Sequence, residues 1–111
     1  MRAVVLDPGA LSARLVLERP VELADGQGGA NVSFEAVASL WARIEPVGET
    51  GEERAGSDLV TLTHRMWVRF RTDIRSGMRL RKGERVFVIR SLRDPDEGRR
   101  YLACLCEEEG R

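Results

Sequence analysis

Lysine and histidine each occur once in this chain, as Lys82 and His64, and aromatic residues make up only 5% of it. A single histidine leaves no second one for a paired-histidine metal motif or for a relay to a nucleophile, and no Gly-x-Ser-x-Gly elbow is present. Cysteine is scarce: Cys104 and Cys106 stand two apart. That spacing puts both on one face of a strand and is awkward for a disulfide, so they read as reduced thiols in or near the core. With one remote histidine they make a weak zinc signal, and neither metal nor cofactor is expected. No apolar run approaches the roughly 18 residues of a membrane span, and residues 1–10 lack the apolar stretch of a signal peptide. The expected setting is a cytoplasm, with no membrane involved. Gly26, Gly28 and Gly29 follow neither Walker nor dinucleotide-binding spacing and read as a hairpin loop. The run Asp94-Pro95-Asp96-Glu97-Gly98 lacks calcium-loop spacing and reads as a turn. No convergent catalytic set remains, and the chain is expected not to be an enzyme.

What the chain does hold is enough apolar material for one compact domain: 42% of its 111 residues are hydrophobic and 32% charged, well outside the regime of disorder. Net charge is zero but unevenly spread, at −5 over residues 1–63, +7 over 64–100 and −2 over 101–111. A strongly basic chain would point to nucleic acid; segregated signs on a neutral one suit contact between copies of itself, or equally a solvated mixed surface.

Residues 1–10 end in Asp7-Pro8-Gly9 and read as an N-terminal arm. Leu11, Ala13, Leu15 and Leu17 alternate with Ser12, Arg14 and Glu18, a strand that Pro20 is expected to end. Residues 32–44 set Val32, Phe34, Ala36, Ala38, Leu40, Ala42 and Ile44 against Ser33, Glu35, Ser39, Trp41 and Arg43. One long or bent strand fits best, with a helix as the rival reading. Residues 47–58 form a Gly- and Glu-rich loop, too long for a tight hairpin, with room for one helical turn at Glu52 to Ala55. Residues 59–72 alternate most cleanly. Val60, Leu62, His64, Met66, Val68 and Phe70 share one face; Thr61, Thr63, Arg65, Trp67, Arg69 and Arg71 share the other. His64, on the apolar face, reads as a hydrogen-bonded core histidine. Shorter strands follow at Met78 to Arg81, Arg85 to Leu92 and Tyr101 to Cys106, and Glu107 to Glu109 reads as a solvated tail. About six strands with little helix predict an all-β fold. A small barrel or a curled sheet over residues 11–108 is expected, the barrel being preferred because closure hides the edges, with a long loop, at most one short helix, and bends or bulges in its longest strands.

Trp41 and Trp67 fall on the otherwise polar faces of the two longest strands, where an indole calls for cover from a loop or from a neighbouring subunit. Arg65, Arg69 and Arg71 flank Trp67, and Arg79 and Arg81 stand across the next turn. Arginines on such a face grip carboxylates bidentately or sit near phosphates. Trp41, Trp67, Arg65, Arg69, Arg71 and Arg79 are therefore the candidate subunit-contact residues.

A set of distinct blocks follows in order along the chain: Trp41-Ala42-Arg43-Ile44-Glu45-Pro46; Thr63-His64-Arg65; Arg69-Phe70-Arg71-x-Asp73-Ile74-x-x-Gly77-Met78-Arg79; Gly83-x-Arg85-Val86-Phe87-x-Ile89; Asp94-Pro95-Asp96-Glu97; and Tyr101-Leu102. In order and spacing these resemble the head-tail joining family, the stopper or head completion proteins of long-tailed phages and gene transfer agents, over roughly residues 11–108. The opening Leu11-Ser12-Ala13-Arg14 departs from the family pattern in following a ten-residue arm.

The resemblance implies a small barrel that assembles into a ring of six or twelve copies beneath the portal and adaptor. A tail terminator or tail tube protein docks below. Double-stranded DNA passes through the ring or is held there by an extended loop. By position that channel loop is residues 47–58, with Glu49, Glu52, Glu53, Arg54 and Asp58, and its acidity suits a duplex that must slide. The implied location is a virion or gene transfer particle assembled in a bacterial cytoplasm. The rival reading is an oligonucleotide-binding barrel using the arginines from Arg65 to Arg100. Neutral net charge, one lysine and few aromatics stand against it.

Overall fold

The computed structural model describes residues 8–24, 26–47, 52–55 and 58–110; for Pro8, Ala30 and the described residues between 52 and 60 it describes the backbone alone. A short 3-10 turn at Pro8–Ala10 precedes eight strands. These are β1 (Ala13–Ala24), β2 (Ala30–Pro46), β3 (Glu52–Ala55), β4 (Asp58–Thr61), β5 (His64–Arg69), β6 (Arg79–Lys82), β7 (Arg85–Arg93) and β8 (Tyr101–Glu108). Six of them close an antiparallel barrel in the order β1-β2-β5-β8-β7-β6, while β3 and β4 pair only with each other. The all-β barrel expected from strand alternation is the fold the chain adopts. Residues 1–7 of the expected N-terminal arm lie outside the described residues.

Alternation fills the barrel. Leu15 and Leu17 from β1, Leu40 and Ala42 from β2, Met66 and Val68 from β5, Leu80 from β6, Phe87 and Ile89 from β7, and Leu102, Cys104 and Cys106 from β8 form one buried cluster. Both cysteines are free thiols, and Cys106 Sγ donates to the Cys104 carbonyl at 3.6 Å. Burial pushes the Cys104 thiol from 9.0 up to about 12, and burial followed by the neighbouring Cys104 raises Cys106 as well. Because the thiolate is the reactive form, neither thiol of the folded protein is expected to react with a disulfide reagent at pH 8, whereas both react at once in guanidinium. The sign of the linked stability follows. The unfolded chain releases these protons first, so stability is whole below pH 9.0 and falls as pH rises from there toward about 12. Rapid labelling of the native protein at pH 8 would contradict the burial.

The strands depart from the sequence reading at four places, each for a local reason. Pro20 does not end β1, which runs on to Ala24 paired with β2 throughout. β1 meets β6 only at Val16 to Glu18, so Pro20 lies where the other side of the strand carries no ladder, and a missing N–H costs nothing there. Next, Leu17 pairs with Ala38 but Glu18 pairs with Ala36, leaving Val37 as a bulge residue on β2. The expected single face from Val32 to Ile44 is therefore broken. Ala38, Leu40 and Ala42 stay on the core side while Phe34 crosses to the outer face, where the Arg79 guanidinium stacks 3.8 Å from its ring centroid.

Third, the expected loop with a helical turn at Glu52 to Ala55 is a β-hairpin, with Glu52 opposite Thr61 and Ala55 opposite Asp58. The strand expected across 59–72 is accordingly two strands: β4 answers to β3 and β5 to β2 and β8. A change of partner requires a step out of the ladder, taken at Leu62 and Thr63. Thr63 is pinned there, its N–H donating to the Cys106 carbonyl and its carbonyl accepting from Val47 N–H, both at 2.9 Å. Fourth, Glu107 to Glu109 is no solvated tail. β8 extends through Glu108, whose buried carboxylate takes two hydrogen bonds from Arg85, at 2.8 and 3.1 Å, and whose backbone N–H donates to Thr63 Oγ1 at 2.7 Å. The Glu108 carboxylate in turn raises the Arg85 guanidinium further above its ordinary value.

Candidate functional site

Two registered rows cross the outer wall of the barrel over β2, β5, β8 and β7. Arg43, Trp67, Ala103 and Arg93 are successive partners in one row; Glu45, Arg65, Leu105 and Ser91 are partners in the next. These residues alternate with Met66, Cys104 and the other core positions, which is why they face outward. A depression of about 410 Å³ opens here, with Ala103, Leu105 and Pro95 giving apolar lining beside Arg65, Trp67 and Arg93. Arg65 donates to Glu45 Oε1 at 2.7 Å. Arg93 has no ion-pair partner among the described residues. Trp67 Nε1 is shut off from solvent with no acceptor, a group whose desolvation costs about 1–3 kcal/mol when left unmatched. Every polar side-chain atom lining the depression is a donor, so its chemistry favours a ligand that brings acceptors.

Trp41 lies on the same wall. It stands opposite Arg14 on β1, is 50% exposed, and carries the Arg14 guanidinium 5.2 Å from its ring centroid. Arg69 is exposed on the outer face of β5, opposite Tyr101. Trp41, Trp67, Arg65 and Arg69 are thus brought together. Arg71 and Arg79 are not. Arg71, beyond the end of β5, makes a bidentate pair with Asp73 at 2.9 and 2.8 Å; the hydrogen bond raises the Arg71 guanidinium and holds the Asp73 carboxyl below the usual range. Arg79 sits on β6, across the barrel from β5, and donates to Glu18 Oε1 at 2.6 Å while Arg81 donates to Oε2 at 3.1 Å.

Of the residues expected in a channel loop, Glu52, Glu53 and Arg54 fall on β3 and Asp58 on β4; Glu49 lies outside the described residues. The core reading of His64 matches its surroundings: Nδ1 is 2.9 Å from Thr63 Oγ1, and the ring meets Phe87 edge-on at 5.0 Å. Sequence reasoning missed Arg93 and Pro95 as lining residues. The alternation of Ser91 and Arg93 against Leu92 was a signal available for the first, whereas nothing local marked the second.

The arrangement defines a small antiparallel β-barrel that carries its indole and guanidinium groups outside and no converging catalytic set among the described residues. The comparisons with known proteins agree with that class and make it specific. The family model for phage head completion protein matches residues 6–109, and the chain belongs to that family. It is a structural component of a phage-type particle. A chain from the virion of a native gene transfer agent particle is 33% identical, with a TM-score of 0.65, covering 88% of this chain and 93% of that one. The solution structure of protein SF1141 from Shigella flexneri 2a is 28% identical, with a TM-score of 0.70, covering 96% and 99%. No curated protein matches the chain.

Proposed function

We propose that the chain is the stopper-type connector of its particle, a subunit of a ring of six or twelve copies between the portal-adaptor assembly and the tail. The observation that carries this reading is the outer wall: Trp41, Trp67, Arg65, Arg69 and Arg93 contribute little to the barrel core, and aromatic and arginine side chains are what desolvated protein interfaces favour. A ring subunit presents one surface to each neighbour, and head-to-side contacts close when the rotation between copies closes. The β3–β4 hairpin, with Glu49, Glu52, Glu53, Arg54 and Asp58 on it or beside it, takes the part of the channel loop. Its net negative charge repels phosphate, so packaged double-stranded DNA is blocked mechanically without being bound tightly.

The test uses the particle itself. Cells that make it without this chain are expected to accumulate heads that fill with DNA but carry no tails, and heads whose chain lacks residues 48–56 are expected to gain tails yet lose DNA. Electron microscopy and nuclease protection read both results. Normal tailed particles in the complete absence of the chain would refute the connector role; full DNA retention in the shortened variant would refute the role of the hairpin.

A further inference from the structure

The β1–β2 hairpin extends past the barrel. Beyond Glu18, β1 no longer pairs with β6, and β2 meets β5 only from Ala42 onward, so residues 19–24 and 30–35 pair with nothing but each other. On this arm Leu23 is 55% exposed and Val32 61%. A two-stranded ribbon with open edges and bare apolar side chains marks a partner surface. Glu22 stands directly opposite Val32, so one face of the arm offers a carboxylate beside an apolar side chain. Glu22 has no ion-pair partner among the described residues.

The depression on the far wall asks for that combination. Ala103, Leu105 and Pro95 supply apolar lining, Arg93 is an unmatched cation, and Trp67 Nε1 is an unmatched donor. Other exposed carboxylates fit less well. Glu84 and Glu97 lie in turns, without an exposed apolar side chain registered against them.

We propose that the Trp67 depression receives the β1–β2 arm of a second copy of this chain, with Glu22 meeting Arg93 and Val32 covering the apolar floor. This rests on the ring reading above and gives it a direction: arm of one subunit into wall of the next, around the ring. The contact is heterologous, so it leaves each isolated subunit with one arm and one depression unfilled.

A charge exchange in particles tests it. Glu22→Arg and Arg93→Glu, each alone, are expected to cut the yield of tailed particles by about tenfold or more, because like charges then face each other at every subunit boundary, and the two together are expected to restore it to within about threefold. Both side chains are exposed, so the purified variants should melt as the unaltered chain does, which separates assembly from folding. As a second readout, a Glu22→Cys, Arg93→Cys variant should form disulfide-linked ladders of subunits in assembled particles, the native thiols being buried. Single variants without effect, or a double variant no better than either single one, would overturn the docking. Those results would leave the connector role standing, provided particles lacking the chain altogether still fail to gain tails.

Discussion

Phe87→Ala is expected to lower the unfolding free energy by about 4 kcal/mol, within the range found when a buried aromatic side chain is cut back to alanine. Phe87 is fully buried on β7, opposite Leu80 on β6 and Glu108 on β8, with His64 edge-on to its ring and Arg85 at 4.8 Å from the centroid. The loss sits at the high end because the wall cannot fall inward. A closed hydrogen-bonded barrel has its radius set by strand number and stagger, so the void persists. Chemical denaturation should show a lower midpoint at an unchanged slope. A loss below about 1.5 kcal/mol would mean that the site collapses, and that the barrel is softer than its closed ladder implies.

Glu18→Ala is expected to cost about 2–3 kcal/mol, and Glu18→Gln roughly half of that. Removing one partner of a buried ion pair costs about 3–5 kcal/mol, and the figure here is discounted because the Arg81 side chain is 38% exposed. Without Glu18, the Arg79 and Arg81 guanidiniums face each other on the same side of β6 with nothing between them, while Arg79 stays pressed on Phe34. A double-mutant cycle with Arg79→Met measures the coupling: if the pair acts as described, Glu18→Ala in the Arg79→Met background costs about 1 kcal/mol or less. Equal costs in both backgrounds would show that Arg79 and Glu18 are neighbours without being partners.

Both predictions concern features of unequal visibility in the sequence. Inward alternation at Leu15 and Leu17, at Met66 and Val68, and at Phe87 and Ile89 is a period-two signal that needs no tertiary information, so the barrel core was legible. Trp41 and Trp67 were legible as outward for the same reason. The exchange of Phe34 to the outer face was not, because a bulge shifts register by one residue without altering the residues themselves, and only the partner strand shows that Val37 is extra. Pro20 misled in a related way: the rule that proline ends a strand depends on whether the far edge carries a ladder, which is a fact about β6 some 60 residues away. Arg79 and Arg71 read as free surface cations, since nothing in local sequence says that Glu18 stands across from one; Asp73, two residues from Arg71, could have been seen. The acidic end hid Glu108 among Glu107 and Glu109, three identical residues whose difference lies in what β8 meets.

β2 is the longest strand, Ala30–Pro46. Seventeen residues at about 3.3 Å each give a strand of roughly 55 Å, comparable to the molecule's longest dimension of 52 Å. One end belongs to the projecting arm and the other, past Ala42, is paired with β5 in the barrel wall, so arm and wall are joined by a single covalent spine rather than through side-chain contacts. A pull applied between its two ends is carried by the covalent backbone itself, so the ladders with β1 and β5 need not yield for the load to pass. Because that backbone is already near its full extension of about 3.3–3.6 Å per residue, a load on the arm passes along the barrel wall with little stretch left to take up.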